Sequence, residues 1–593
     1  MNVPLLSENM LMVNQDTPDL RDRIYQPHLA PLKPFIDPPG NLNILNQGDD
    51  GACTGFALAA TIAFIYRQQG KSHDVSPWML YAMAKRHDEW LGDSYEGSSC
   101  RGAIKGWYNS GVCSQTLTEN LANSDEFAMT LPIAQDAANH RLGAYYRLER
   151  EISDFHAAIN EVGVIFVSAR IHKGWKDCSG EEIALKPEPM GGHAFAIVGY
   201  NDKGFWVQNS WGTAWKKSGL ALWHYEDWAR NIMDAWVVQL ALPVHTANTL
   251  HHATGHVARG LFKRTTPRVS IQNHFVHFDD GHFDTTSKYW SNKAHVDNII
   301  AELKASNHNK VMLYAHGGLN TVKASARRIA AMKDTFLKNG IYPIHFMYDT
   351  GIIEELKDIL GFKHKEVSNK VGAFTDYTDR ILEWATRKVG GALWREMKSD
   401  ACTPFTRATS DGSYFLTQLA HYLSENKKVE LHVVGHSAGS IFHAHSLARL
   451  FKIQPELSVK SLQLLAPAIS YTLFEETLTP LINNQFIQQT HIYNLSETLE
   501  LSDHVGRVYQ KSLLYLVSNA FESKDGMPLL GMQTFNTAHK GVTFIYSDGE
   551  KGSACAARTH GGFDEDVDTM NSVLRVILGK KANFDFTDTM LDY

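Results

Sequence analysis

Apolar residues follow two different rhythms along the chain. Up to about residue 242 a helix-rich half gives way to short strand-like runs; beyond Arg268 strand-like runs alternate with amphipathic helices. In the first part the apolar residues after Cys53 (Phe56, Leu58, Ala59, Ile62, Ala63) predict a core helix that opens at the cysteine. Residues 162–169 and 194–200 are short, apolar and β-branched, and strands at 205–208 and 220–224 follow, with glycines at the turns. In the second part the strand-like runs are VMLYA (311–315), YPIHFMY (342–348), ELHVVG (430–435), SLQLLAP (461–467), THIYNL (490–495) and VTFIYS (542–547). Helical patterns cover 322–338, 414–424 and 567–578, the last ending at Gly579. Strands that alternate with helices predict a mostly parallel sheet flanked by helices. Residues 351–411 are an insertion with helical periodicity, and 245–268 read as a polar interdomain connection. The predicted order is an extension over 1–33, an α+β domain over 34–244, the linker, and an α/β domain over 269–593.

Composition narrows this little. A chain of 593 residues predicts two to four domains, and 44% apolar with 20% charged residues is a globular balance. A net charge of −7 without Lys/Arg runs gives no electrostatic reason to expect nucleic acid. The first residues lack a basic segment, an apolar core and a cleavage site, so no signal peptide is expected. The longest apolar stretch, 55–66, falls short of the roughly 20 residues that span a bilayer. Six cysteines without a CxxC pair predict reduced thiols and a cytoplasmic protein, with delivery by a dedicated secretion machine left open.

The chemistry enters at NQGDDGACTGFALAA. Cys53 stands at a predicted helix N-terminus, whose positive potential favours a thiolate, and Gly51 and Ala52 allow close approach of a substrate. GGHAFAIVGY places His193 just before an apolar strand, and FWVQNSWGTAW places Asn209 sixteen residues later. A cysteine near a domain start with His and Asn about 130–150 residues on is the papain order. The three motifs together, with SPWMLY (76–81) and GSSCRGAIKGW (97–107), resemble the papain-like (C1) cysteine peptidases over about 200 residues, in their bacterial branch. The resemblance implies Cys53 as nucleophile and His193 as its base. It gives Asn209 the task of orienting that base, Trp211 that of shielding their contact, and Gln47 with the Cys53 N–H that of binding the oxyanion. The substrate would be a protein or peptide, with no cofactor. Asp50 stands where secreted members carry a disulfide cysteine, and Thr54 where a tryptophan is usual. About 33 residues precede the domain, short for an inhibitory propeptide, so restraint is expected from elsewhere in the chain or from a partner.

ELHVVGHSAGSIFHAHSLARLF reads as strand, sharp turn and helix, with Gly435-His436-Ser437-Ala438-Gly439 as a G-x-S-x-G nucleophile elbow. The Ala438 N–H would face the oxyanion, and the turn His316-Gly317-Gly318-Leu319 offers a second N–H at Gly318 or Leu319. His560, before the last helix, is the expected base. Among Glu497, Glu500 and Asp503 the favoured acid is Asp503, then Glu497. This half resembles an α/β-hydrolase of the lipase/esterase type and implies an acyl ester or lipid substrate, again without a cofactor. Residues 351–411 with 471–481 would form a lid or pack the sheet edge, and His443 and His445 are expected to pack or face solvent. Histidines 251, 252 and 256, and 274, 277 and 282 beside Asp279 and Asp280, have no HExxH or CxxC spacing, and no metal is expected. The expectation is a bifunctional hydrolase. The alternative is one catalytic domain beside a non-catalytic recruiting or regulatory scaffold, in an effector or defence protein.

Overall fold

Because it is apolar on every side, the run after Cys53 must be buried all round. It forms α1 (Cys53–Gln68), in which every residue from Cys53 to Tyr66 is buried. The computed structural model describes residues 11–17, 19, 22–27, 31–90, 96–241, 265–318, 320–348, 375–505, 509–522 and 526–593. They fall into two units, Met1–Ser270 with Thr286–Lys288, and Ile271–Thr285 with Tyr289–Tyr593.

In the first unit α1 is followed by α2 (Pro77–His87) and α3 (Cys100–Ser110). Ser76 caps α2 by accepting from the Met79 N–H, and Ser99 caps α3 by accepting from the Gly102 N–H. The sheet has six strands: β1 (Leu142–Arg147), β2 (Ile165–His172), β3 (Pro189–Tyr200), β4 (Gly204–Gln208), β5 (Leu220–His224) and β6 (Ile232–Leu240). Their order is β1-β6-β2-β3-β4-β5, and every pairing is antiparallel. Ala57 and Leu58 of α1 share a core with Ala194, Ala196 and Val198 of β3. Strands β1 and β6 were not expected. Strand β6 carries Asp234 in its middle, which interrupts the apolar pattern. This buried carboxylate accepts from Arg147 (2.8 Å), from the Ser168 hydroxyl (3.0 Å) and from the Asp16 N–H (3.0 Å), partners remote in sequence.

The second unit holds β7 (Phe275–Asp279), β8 (His282–Phe283), β9 (Lys310–Ala315), β10 (Ile341–Tyr348), β11 (Glu430–His436), β12 (Val459–Leu465), β13 (Thr490–Leu495) and β14 (Val542–Ser547). Their order is β14-β13-β12-β11-β9-β10-β7-β8, parallel except for the β7–β8 hairpin. The hairpin lies where the sequence shows only a His/Asp cluster. There His274 Nδ1 meets the Pro343 carbonyl (2.8 Å) and His277 Nδ1 meets Asp284 (3.0 Å), so both rings have protein partners. Histidines 251, 252 and 256, with most of the predicted linker, lie outside the described residues, as do 351–374 of the insertion. The insertion continues as a helix over Thr375–Cys402. Among the described residues no helix is long and apolar enough to cross a membrane.

From β9 the chain moves to β10 on one side, and from β11 it moves to β12 on the other. The carboxyl ends of β9 and β11 therefore flank a topological switch point, where open parallel sheets bind ligands. Ser437 follows β11 with φ +51°, the strained turn that a nucleophile elbow requires. The helix Gly439–Ile453 starts so close to β9 that a Cβ on Gly439 would sit 2.1 Å from the Ala315 carbonyl oxygen. Gly439→Ala is expected to destabilise the second unit by about 1–3 kcal/mol through overpacking. A urea midpoint indistinguishable from that of the parent would contradict this account of the crossing.

Candidate active sites

Cys53 is the first residue of α1, and no side chain caps that helix end. Burial pushes the thiol up to about 12; the Ala194, Thr54 and Cys53 N–H groups oppose this, and Asp50 adds to it. His193, on β3, is fully buried, and its Nε2 lies 2.8 Å from the Asn209 Oδ1. That contact assigns the proton to Nε2 and leaves Nδ1 to exchange protons; among the described residues Nδ1 has no hydrogen-bond partner. Asn209 Oδ1 also accepts from the Ser210 N–H at 2.8 Å, which fixes the amide. Trp211 stacks on His193 at 4.6 Å and covers the pair. Burial pulls His193 down to about 4, partly offset by the Asn209 contact, so thiol and imidazole are both neutral as placed. Gln47 donates to the Asp50 carbonyl (2.9 Å) and accepts from Ser210 (2.7 Å), which leaves one of its two N–H bonds unused.

Neither Cys53 nor His193 reaches the surface, and part of the reason is a segment the sequence gave little weight. The Val13 N–H donates to the Gly192 carbonyl (3.3 Å) and the Asn14 N–H to the Ser98 carbonyl (3.3 Å). Residues 11–14 thus join the strand of His193 to the loop before α3, and Val13 packs in one cluster with Cys53. Gly192 permits this, since a Cβ there would sit 2.0 Å from the Val13 carbonyl oxygen. Asp16 anchors the segment: it accepts from the Arg101 N–H (2.9 Å) and from Trp236 (2.8 Å), while Arg101 pairs with Asp22 (2.5 Å). Residues 11–14 and Asp16 belong to the extension that precedes the predicted domain. Burial, and then the charge of Asp234, raise the Asp16 carboxyl to about 7.

In the second unit His560 Nε2 lies 2.8 Å from the Ser437 Oγ. The turn at Gly317 and Gly318 comes against the elbow: a Cβ on Gly317 would be 3.2 Å from that of Ser437, and one on Gly318 3.3 Å from that of Ala438. His316 stacks on Tyr348 (4.5 Å) and holds the turn; Leu319 lies outside the described residues. The candidate acids separate clearly. Glu497 accepts from Tyr515 and Glu500 from Ser512, whereas Asp503 Oδ2 accepts from the His560 main-chain N–H at 2.8 Å. Asp503 thus meets His560 at its main chain and not at its ring, while the charge of Asp564 acts on the imidazole. His560 Nδ1 has no hydrogen-bond partner among the described residues. Burial, with His436 adding to it, pulls His560 down to about 3. His443 bonds the Val434 carbonyl (2.9 Å) inside the core.

An apolar slot opens at Ser437 between Leu393, Trp394 and Met397 of the insertion helix and Leu513, Val517 and Phe521. The insertion helix therefore lines the slot at Ser437. Residues 471–481, the other expected lid segment, do not line the slot; 513–521 do, and no motif announced them. Lys398 pairs with Glu522 (2.9 Å), and Trp394 Nε1 donates to the same carboxylate (2.7 Å), which ties the cover helix down. The slot has about 20 Å³ of free space, room for a water or two, so anything larger must displace part of its lining.

No family model matches the chain. It is 26% identical over 229 residues to an uncharacterized peptidase C1-like protein of Acanthamoeba polyphaga mimivirus, covering 35% of this chain and 73% of that one. Among solved structures, xylellain, a cysteine protease from Xylella fastidiosa, is 24% identical at a TM-score of 0.36, with 40% of this chain and 99% of that chain covered. Procathepsin B S9 from Trypanosoma congolense is 15% identical at a TM-score of 0.34, with 39% and 87% covered. The viral relative and the His193–Asn209 contact together support a papain-like cysteine peptidase domain.

Val13→Pro removes the N–H that bonds Gly192 and is expected to speed alkylation of Cys53 by iodoacetamide up to ~10-fold, the worth of one hydrogen bond. Docking of Asp16 raises its pKa from 3.8 to about 7, so the docked segment holds the extra proton. Its docking is then tightest below the lower value and weakens as pH rises through the upper one. Alkylation of Cys53 in the native parent, divided by that of the urea-unfolded chain to remove the thiol's own titration, should therefore rise over that window. A quotient that stays flat or falls with pH, or a Val13→Pro chain alkylated no faster than the parent, contradicts the assignment.

Proposed function

We propose that the chain is a bifunctional hydrolase: a papain-like cysteine peptidase over residues 34–244 and a serine esterase of the α/β-hydrolase type over 269–593. For the first, the observation that carries the reading is the His193–Asn209 contact, which leaves Nδ1 as the exchanging nitrogen. The Cys53 proton passes to Nδ1 and the thiolate adds to a peptide carbonyl. The Cys53 N–H and the unused Gln47 N–H stabilise the oxyanion. His193 then protonates the departing amine, and water, deprotonated by His193, cleaves the thioester. The substrate is a protein or peptide, admitted once residues 11–14 leave the groove.

For the second, the reading rests on Ser437 Oγ within 2.8 Å of His560 Nε2, on a positive-φ elbow at the switch point of a parallel sheet. The chain order Ser437, Asp503, His560 is that of the α/β-hydrolases. His560 takes the Ser437 proton as Oγ attacks an acyl ester, and Ala438 with Gly318 or Leu319 supplies N–H groups to the oxyanion. His560 then returns the proton to the leaving alcohol. Water, activated in the same way, releases the acid from the acyl-enzyme. The apolar slot favours an acyl or lipid tail over a charged one. Neither mechanism calls for a cofactor or metal. Six unpaired cysteines agree with a cytoplasmic setting.

A scaffold reading of the second unit forecasts the opposite outcome for short acyl esters. Under the proposal Ser437→Ala lowers their hydrolysis ~10³-fold or more while peptide hydrolysis persists, and Cys53→Ala does the reverse. Ester hydrolysis that vanishes with Cys53→Ala and survives Ser437→Ala establishes the scaffold instead.

A further inference from the structure

His436, the residue before the nucleophile, reaches the base from behind. Its Nε2 lies 2.9 Å from the His560 carbonyl oxygen, to which it donates. Its Nδ1 faces Asp564 Oδ2 at 3.5 Å. Asp564 is buried and its contacts converge on Oδ2: Arg328 Nε lies 2.7 Å from this oxygen and the Tyr314 hydroxyl donates to it at 2.8 Å, while Oδ1 has no hydrogen-bond partner among the described residues. The Arg328 Nε also reaches the Tyr593 hydroxyl at 2.9 Å. Arg328, Asp564, His436 and Tyr314 are each buried. Such ion pairs are seldom retained for stability, because desolvation cancels most of their attraction. This one stands directly behind the Ser437–His560 pair.

The main chain of His560 is gripped at both ends, its N–H by Asp503 and its carbonyl by His436, while its ring makes a hydrogen bond only to Ser437, through Nε2, among the described residues and lies 5.7 Å, centroid to centroid, from the His436 ring. The position of the imidazole thus depends on the backbone grip. We propose that His436 is a positioning residue of the Ser437 site, acting through the His560 carbonyl and held in register by the buried Asp564–Arg328 pair. The inference rests on the esterase reading and adds to it a support outside the expected triad. The sequence gives no sign of it, because Tyr314, Arg328, His436, Asp564 and Tyr593 come from five separate segments.

The test compares His436→Ala with His436→Gln in the full-length chain, using a short acyl ester and a fluorophosphonate probe. Displacing a base by about 1 Å costs ~10²-fold. His436→Ala should therefore lose ~10²-fold in kcat with KM nearly unchanged, and probe labelling of Ser437 should slow in parallel. The Gln side chain can donate to the same carbonyl, so His436→Gln should recover to within ~10-fold of the parent. A merely structural His436 would lower the urea midpoint in both variants without this kcat split or rescue. That result, or undiminished kcat in His436→Ala, overturns the inference alone. A parent chain whose Ser437 neither turns over esters nor takes the probe overturns the esterase reading itself.

Discussion

In both units the candidate nucleophile is fixed where a helix begins against a sheet, and nearly everything else in the fold answers to that junction. A helix N-terminus leaves main-chain N–H groups without intrahelical partners, which suits a developing oxyanion and forbids careless burial. At Cys53 the helix is so apolar that it must sit in the core, bringing its first residue into one cluster with Ala194 of β3. At Ser437 the helix starts so tightly against β9 that only glycine fits at position 439. The candidate nucleophiles differ, but each inherits its position from the packing of a helix rather than from a flexible loop.

Closure follows from the same burial. A helix end sunk in the core is poorly reached, and each unit adds a cover. In the first, residues 11–14 bond to Gly192 and Ser98, with a cluster of carboxylates and arginines as anchor. In the second, the insertion helix lines the slot at Ser437 and is tied down by Glu522. As described, both sites hold their histidines neutral, because burial outweighs the stabilising contacts. Opening would admit water or substrate and move both groups towards their working proton states.

Much of this was legible in the sequence where the signal is local. The six parallel strands with central apolar runs, the helix Val322–Lys338 and the helix Val567–Leu578 closing on a left-handed Gly579 stand where the pattern puts them. Catalytic motifs are local too, because close backbone approach needs glycine at fixed offsets. What escaped is long-range. Strand β6 hides behind Asp234, whose partners Arg147, Ser168 and Asp16 the sequence does not bring together. The closing segment at 11–17 has no motif, since its contacts are largely main-chain. Among the three acidic residues after β13 the sequence favoured Asp503, but not its contact: packing gives Glu497 to Tyr515, Glu500 to Ser512 and Asp503 to the main-chain N–H of His560.

The central claim is that one chain carries two chemically distinct nucleophiles. The most direct test is to expose the parent protein to an epoxide thiol probe and a fluorophosphonate together, then read the intact mass and map the modified peptides. The account predicts two additions on the same chain, the epoxide on Cys53 and the phosphonate on Ser437. Covalent addition at only one of these residues, or at neither while other cysteines and serines react, would contradict it.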